Sequence, residues 1–174
     1  MAVERSVSSP AVPRGESGPI PAVYAEGLLA GIVGAVTVAI WFLIIDMVNG
    51  RPLYTPTVLG TALFGGAGLE APESIAPSFE MALSFTWVHV LVFLLIGVAG
   101  AWLLTFVEEN PSVGFGVVIL FVFFEFGFLL ASTVIAEPVL HALAWPAVLV
   151  GNFLAAAAMA AIFWWRHPNL TIRP

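Results

Sequence analysis

From Gly27 to Ile45 the chain runs nineteen residues without a charged side chain, and three further stretches come close to doing the same. The second runs from about Met81 to Phe106, where His89 is the one titratable residue. The third runs from about Ser112 to Ala136 and holds a single acid, Glu125. The fourth covers about Trp145 to Trp165, with the largely apolar Pro138–Ala144 leading into it. A bilayer core of about 30 Å is crossed by about 20 helical residues, so each stretch has the length of one crossing. A helix satisfies its own backbone hydrogen bonds, which is the condition for crossing lipid. The expected fold is therefore all-α: a polytopic membrane protein built as a bundle of four transmembrane helices.

Composition narrows the class further. With 60% hydrophobic residues and only 9% charged, the chain cannot cover a water-facing surface, because soluble domains carry about 25% charged residues. A free globular enzyme and a disordered chain are excluded. Nucleic acid is excluded as a partner, since a net charge of −6 with no lysine repels a phosphate backbone. The absence of cysteine removes disulfides, thiolate metal sites and cysteine nucleophiles.

Residues 1–23 are rich in Pro, Ser and Gly and lack the apolar core of a signal peptide, so a flexible tail is expected there. A transmembrane domain over 24–166 and a short tail over 167–174 follow, with crossings at about 27–49, 81–106, 112–136 and 145–165. Arg5, Arg14, Arg166 and Arg173 lie in the two tails and only Arg51 lies elsewhere. The positive-inside rule then places both termini in the cytoplasm and the loop 50–80 outside. Trp164 and Trp165, beside Arg166, have the composition of an interface anchor, and Trp102 is expected to join them. In the outer loop, Thr55 followed by Pro56 and closed by Gly65 reads as a short capped helix, with Thr55 as its N-cap. Its Val58, Leu59, Ala62 and Leu63 suit a helix lying among the headgroups.

Lipid supplies no hydrophobic drive for helix association, so small residues at helical spacing mark contact faces. Gly27 and Gly31 mark one such face, Gly97 and Gly100 a second, and Gly151 with the alanines around Asn152 a third. Polar residues share these stripes. At 1.5 Å per residue, Asp46, His89, Glu125, His141 and Asn152 all fall in the outer half of the membrane. They are expected to form an intramembrane polar cluster, structural or ligand-binding. An acid near the bilayer centre costs about 2.5–3.5 kcal/mol and marks a function or an interhelical hydrogen bond.

Three chemistries are open to that cluster. A bis-histidine haem b would need His89 and His141 at one height, whereas their estimated depths differ by about 8–10 Å. His89 and Glu125 are acceptable metal ligands, without any paired spacing on one helix. A quinone needs a His or an acid inside an aromatic slot, for which Phe121, Phe123, Phe124, Phe126 and Phe128 offer surface. The simplest reading holds no cofactor. Arg51 is expected to clasp Asp46 or Glu137, and His167 to be an interface or tail residue.

The segments Asp46-Met47-Val48-Asn49-Gly50-Arg51-Pro52-Leu53-Tyr54-Thr55-Pro56 and Leu149-Val150-Gly151-Asn152, continuing through Trp165-Arg166-His167-Pro168, carry a resemblance. They are similar to small, functionally uncharacterised four-helix proteins of the bacterial inner membrane, over most of residues 24–168. That resemblance implies a bacterial inner membrane and no particular activity. The function expected from all these features is that of an accessory or stabilising subunit, partnered by lipid and by other membrane subunits or further copies of itself. The alternatives are a ligand-binding or redox membrane protein (quinone, haem b or metal) and a proton-linked carrier or channel subunit.

Overall fold

The computed structural model describes residues 19–65, 75–110, 113–116 and 145–167, and among them it is all-helical, with no strand. Four helices are formed among the described residues: α1 over Pro19–Val48, α2 over Tyr54–Phe64, α3 over Phe79–Glu109 and α4 over Trp145–Arg166. Three of them, at Ala22–Val48, Phe79–Glu109 and Trp145–Arg166, are long and apolar enough to cross a membrane. The expected third crossing, 112–136, lies outside the described residues except for the helical turn at 113–116. The outer parts of both tails lie outside them as well.

Helix α1 begins at Pro19, inside the stretch expected to be a flexible tail. Pro19 and Pro21 lack an N–H only where the first turn has no acceptor for one, so two prolines start this helix without interrupting it. Helix α3 also outruns its apolar stretch at both ends. Ser78 caps it by accepting a hydrogen bond from the Met81 N–H, and the helix runs on to Glu109.

The bundle is organised around α1, which packs against both α3 and α4. Its contact with α3 is backbone on backbone. A methyl added at Gly97 would collide with the carbonyl oxygen of Gly27 and would lie 2.6 Å from the Gly31 nitrogen. A methyl at Gly31 would lie 2.5 Å from the Phe93 carbonyl oxygen. The order of these contacts, Gly27 with Val98 and Gly31 with Leu94, makes α1 and α3 antiparallel.

On another face of α1, Trp41 donates its indole N–H to the Ala147 carbonyl at 2.8 Å. Gly151 also meets Trp41, and Gly34 meets Met159, so α4 too runs antiparallel to α1. The two partners of α1 therefore run parallel to each other. They meet at Gly100, where an added methyl would sit 3.3 Å from the Phe163 ring. Outside these contacts the helices present apolar side chains. Trp145 at the start of α4 and Trp164 and Trp165 at its end are mostly exposed. Trp145 and Trp164 are nineteen residues apart in sequence, about 29 Å along the helix, which matches the thickness of a bilayer core.

The glycine contact generates a graded prediction. An overpacked site costs about 1–3 kcal/mol, and here the obstacle is backbone that cannot rotate away. Gly→Ala in a helix returns up to about 1 kcal/mol of propensity, which offsets only part of that. Gly97→Ala should therefore lower thermal stability clearly in detergent, whereas Gly100→Ala, which meets only an aromatic ring edge, should be nearly neutral. Circular-dichroism melts of the two variants side by side check this. Equal Tm values would remove the close contact.

Candidate functional site

Two polar centres are built into the described helices, at opposite ends of α1. The first is the corner between α1 and α2. Helix α1 closes with the Gly50 N–H on the Met47 carbonyl (3.0 Å) and the Arg51 N–H on the Asp46 carbonyl (2.8 Å). Gly50 itself sits at φ +67°. This is a Schellman closure, and the left-handed residue it requires is the one residue type that enters that region without steric cost.

The turn carries the chain back over the side chain of Asp46, which is only 3% exposed. One carboxylate oxygen accepts the Thr55 N–H at 2.8 Å and the other accepts the Thr55 hydroxyl at 2.7 Å. Asp46 thus caps α2 from the helix before it. Thr55, expected to be the N-cap, is instead the second residue of α2. The N-cap is Leu53, left-handed at φ 65° and without a side-chain cap. A carboxylate held above the helix start is a stronger acceptor than the Thr55 hydroxyl, and it suits the positive end of the helix dipole.

The expected Arg51–Asp46 clasp is not formed, and the two oxygens of Asp46 bond Thr55. The Arg51 guanidinium instead lies 3.8 Å from the centre of the Tyr54 ring and reaches the Ile75 carbonyl. Glu137 is outside the described residues.

Helix α2 is fastened at its other side to the start of α3. Thr57 donates its hydroxyl to the Ser78 carbonyl (3.2 Å) and accepts the Ser78 N–H (3.1 Å). Gly60 abuts the Met81 carbonyl so closely that no side chain fits. Of the residues expected to lie among the headgroups, Val58 is fully buried and Leu59 half-buried, while Ala62 and Leu63 are exposed, as is Phe64.

Between α1, α2 and α3 lies a cavity of about 230 Å³. Its walls are almost wholly apolar, with Asp46 and Thr55 toward one end and His89 toward the other. The Nε2 of His89 is 3.1 Å from the Ala35 carbonyl oxygen. Ala35 precedes Asp46 by eleven residues, about 16 Å along α1. Among the described members of the expected cluster, no hydrogen bond joins one to another. Asp46 binds Thr55, His89 binds the backbone of α1, and Asn152, half-buried on α4, is hydrogen-bonded to neither. Glu125, His141 and the phenylalanines around Glu125 lie outside the described residues. No group of three His, Asp or Glu side chains among the described residues is arranged to hold a metal.

The second centre joins three helices through a residue expected to be a bystander. His167, one residue beyond α4, places Nδ1 at 2.6 Å from a carboxylate oxygen of Glu108 on α3. Its Nε2 lies 2.9 Å from Glu26 on α1. Side chains lean toward the N-terminus of their own helix, so Glu26 reaches outward along α1 while Glu108 reaches back along α3, and the two approach one level. Ionised carboxylates only accept, so both ring nitrogens donate and the imidazolium is the form that satisfies both bonds. Partial burial lowers the pKa of His167, but the hydrogen bond to Glu108 and the charges of Glu26 and Glu108 outweigh it, and the value is raised above the ordinary 6.5. The two ring nitrogens point apart, so the three groups converge on no common ion. In sequence the signal for this bridge is faint: two acids near helix ends and a histidine after Arg166, separated by 59 and 141 positions.

The chain matches no family model, no curated protein and no solved structure.

Two outcomes follow from these geometries. Because the folded pKa of His167 is raised, its contribution to stability is complete below the unfolded value and disappears as pH rises through the folded one. The Tm of the wild type should thus fall over that interval relative to His167→Gln, and two parallel curves would exclude the bridge. Asp46→Ala leaves a buried N–H and hydroxyl of Thr55 without an acceptor, at a cost of about 1–3 kcal/mol. It should melt α2 away from the bundle, detectable as faster amide exchange across Thr57–Thr61 than in wild type.

Proposed function

We propose that the chain is a four-crossing integral membrane protein that acts as an accessory, stabilising subunit of a larger membrane assembly. The observation that carries this reading is where the polar side chains of the crossings spend their hydrogen bonds. Thr37, Thr86 and Thr105 bond carbonyls of their own helices, Asp46 caps α2, and His89 reaches the backbone of α1. The threonine bonds stay within one helix, whereas those of Asp46 and His89 join one helix to another. Around them lies a broad apolar surface fitted to lipid and to the helices of neighbouring subunits.

Chain direction supports the fourth crossing. Helix α3 ends beside His167 at the Glu26 end of α1, whereas α4 begins beside Trp41, near the α2 end. The chain between Asn110 and Trp145 has to return from one end to the other, and in lipid a return of that length calls for a helix. The arginines of the tails put the Glu26 end in the bacterial cytoplasm and the α2 corner at the outer headgroups.

The native absence of cysteine makes orientation straightforward to test. A membrane-impermeant maleimide should label Glu70→Cys in intact cells, and Arg173→Cys only after the cells are opened. The reverse pattern would invert the topology. The subunit role is tested by extraction from native membranes in a mild detergent, followed by size-exclusion chromatography and mass spectrometry. The expected particle is far heavier than a small homo-oligomer of an 18.4 kDa chain and contains other polypeptides in fixed ratio. A particle containing this chain alone would overturn the reading.

A further inference from the structure

The wall of the α1–α2–α3 cavity includes His89, whose Nδ1 no described residue engages. The Ala35 carbonyl can only accept, so the hydrogen between it and His89 belongs to Nε2. In the neutral ring Nδ1 is then a bare lone pair. No described residue donates to it, and none of the described residues leaves a buried side-chain nitrogen or oxygen without a partner, so Nδ1 has accessible space before it. The ring cannot swing freely, because Phe85 and Phe93 flank it at centroid distances of 5.7 and 4.8 Å.

The other polar groups of the wall share one property. The Thr55 hydroxyl is donated to Asp46 and the Thr86 hydroxyl to the Ala82 carbonyl. Their hydrogens are committed, and what they still offer is lone pairs. Among the described residues the wall is therefore apolar, with acceptors and no free donor. At about 230 Å³ it is roughly one and a half times the size of an apolar cavity that takes benzene.

We propose that this cavity binds a single-ring apolar molecule bearing a hydroxyl, with the hydroxyl donating to Nδ1 of His89. A ring carrying only carbonyl oxygens meets lone pair with lone pair and is disfavoured. The headgroup of a reduced membrane quinone and a small free phenol share the required chemistry. This site is independent of the subunit role proposed above and stands or falls by different measurements.

The test uses the full chain in lipid nanodiscs, with calorimetric titrations corrected against empty nanodiscs. The probes are 4-propylphenol and its methyl ether, 4-propylanisole, which keeps the shape and loses the donor. The phenol should bind saturably and about tenfold tighter than the ether, a difference of about 1.4 kcal/mol. His89→Phe should bring the phenol down to the affinity of the ether and leave the ether unchanged. In unsubstituted protein, the ¹⁵N resonance of His89 Nδ1 should move from a bare-imine to a hydrogen-bonded position as phenol is added, a readout that needs no variant to fold. A decyl-tailed hydroquinone that binds tighter than the short phenol identifies a membrane quinol as the source. A tail that weakens binding identifies a free phenol. Equal affinity for phenol and ether, no saturable binding, or an unmoved Nδ1 resonance would each overturn the proposal.

Discussion

The contact of Gly27 and Gly31 with Gly97 is the constraint from which the rest of the described structure follows. Inside a bilayer apolar side chains gain nothing by leaving lipid for protein, so helix association rests on dispersion at close approach and on hydrogen bonds. Three glycines let the backbones of α1 and α3 touch. That contact sets the register, and the register brings His89 to the carbonyl of Ala35 and the end of α3 toward Glu26. Helix α4 then occupies another face of α1, where Gly34 and Gly151 leave room for Met159 and Trp41.

Polar groups in such a bundle have to be satisfied locally, and beside the bonds of His89, Trp41 and Thr57 to neighbouring backbone three devices contribute to it. Threonines bond back to their own helix, adding no contact between helices. Asp46 serves two elements at once, since its carbonyl closes α1 and its carboxylate opens α2. His167 joins the ends of three helices by donating from both ring nitrogens. The first device tolerates lipid, whereas the other two secure the corner and the opposite end of the bundle against fraying. Between them α1 is clamped near both ends and packed along its middle.

The three helices long and apolar enough to cross a membrane were legible because uncharged runs of bilayer length have few other solutions. The short helix in the loop was legible too, from Pro56 and Gly65, but its cap was not. A capping residue is sought immediately before a helix, whereas Asp46 lies nine positions before Thr55 and reaches it only because Gly50 turns the chain back. The partners that Asp46 and His89 take were not legible for a related reason. Depth follows from counting residues, but rotation about each helix axis and the stagger between helices do not, and here they separate His89 from Asp46 along α1. The His167 bridge was hidden by distance in the chain, since nothing local to residues 26, 108 or 167 signals the other two.

The central claim is that backbone contact between α1 and α3 organises the bundle, and solid-state NMR in lipid bilayers tests it most directly. With glycine the only ¹³C-labelled residue, the account predicts a direct Cα–Cα correlation between Gly31 and Gly97 that vanishes in Gly97→Leu. A spectrum of well-folded wild-type protein without that correlation would contradict it.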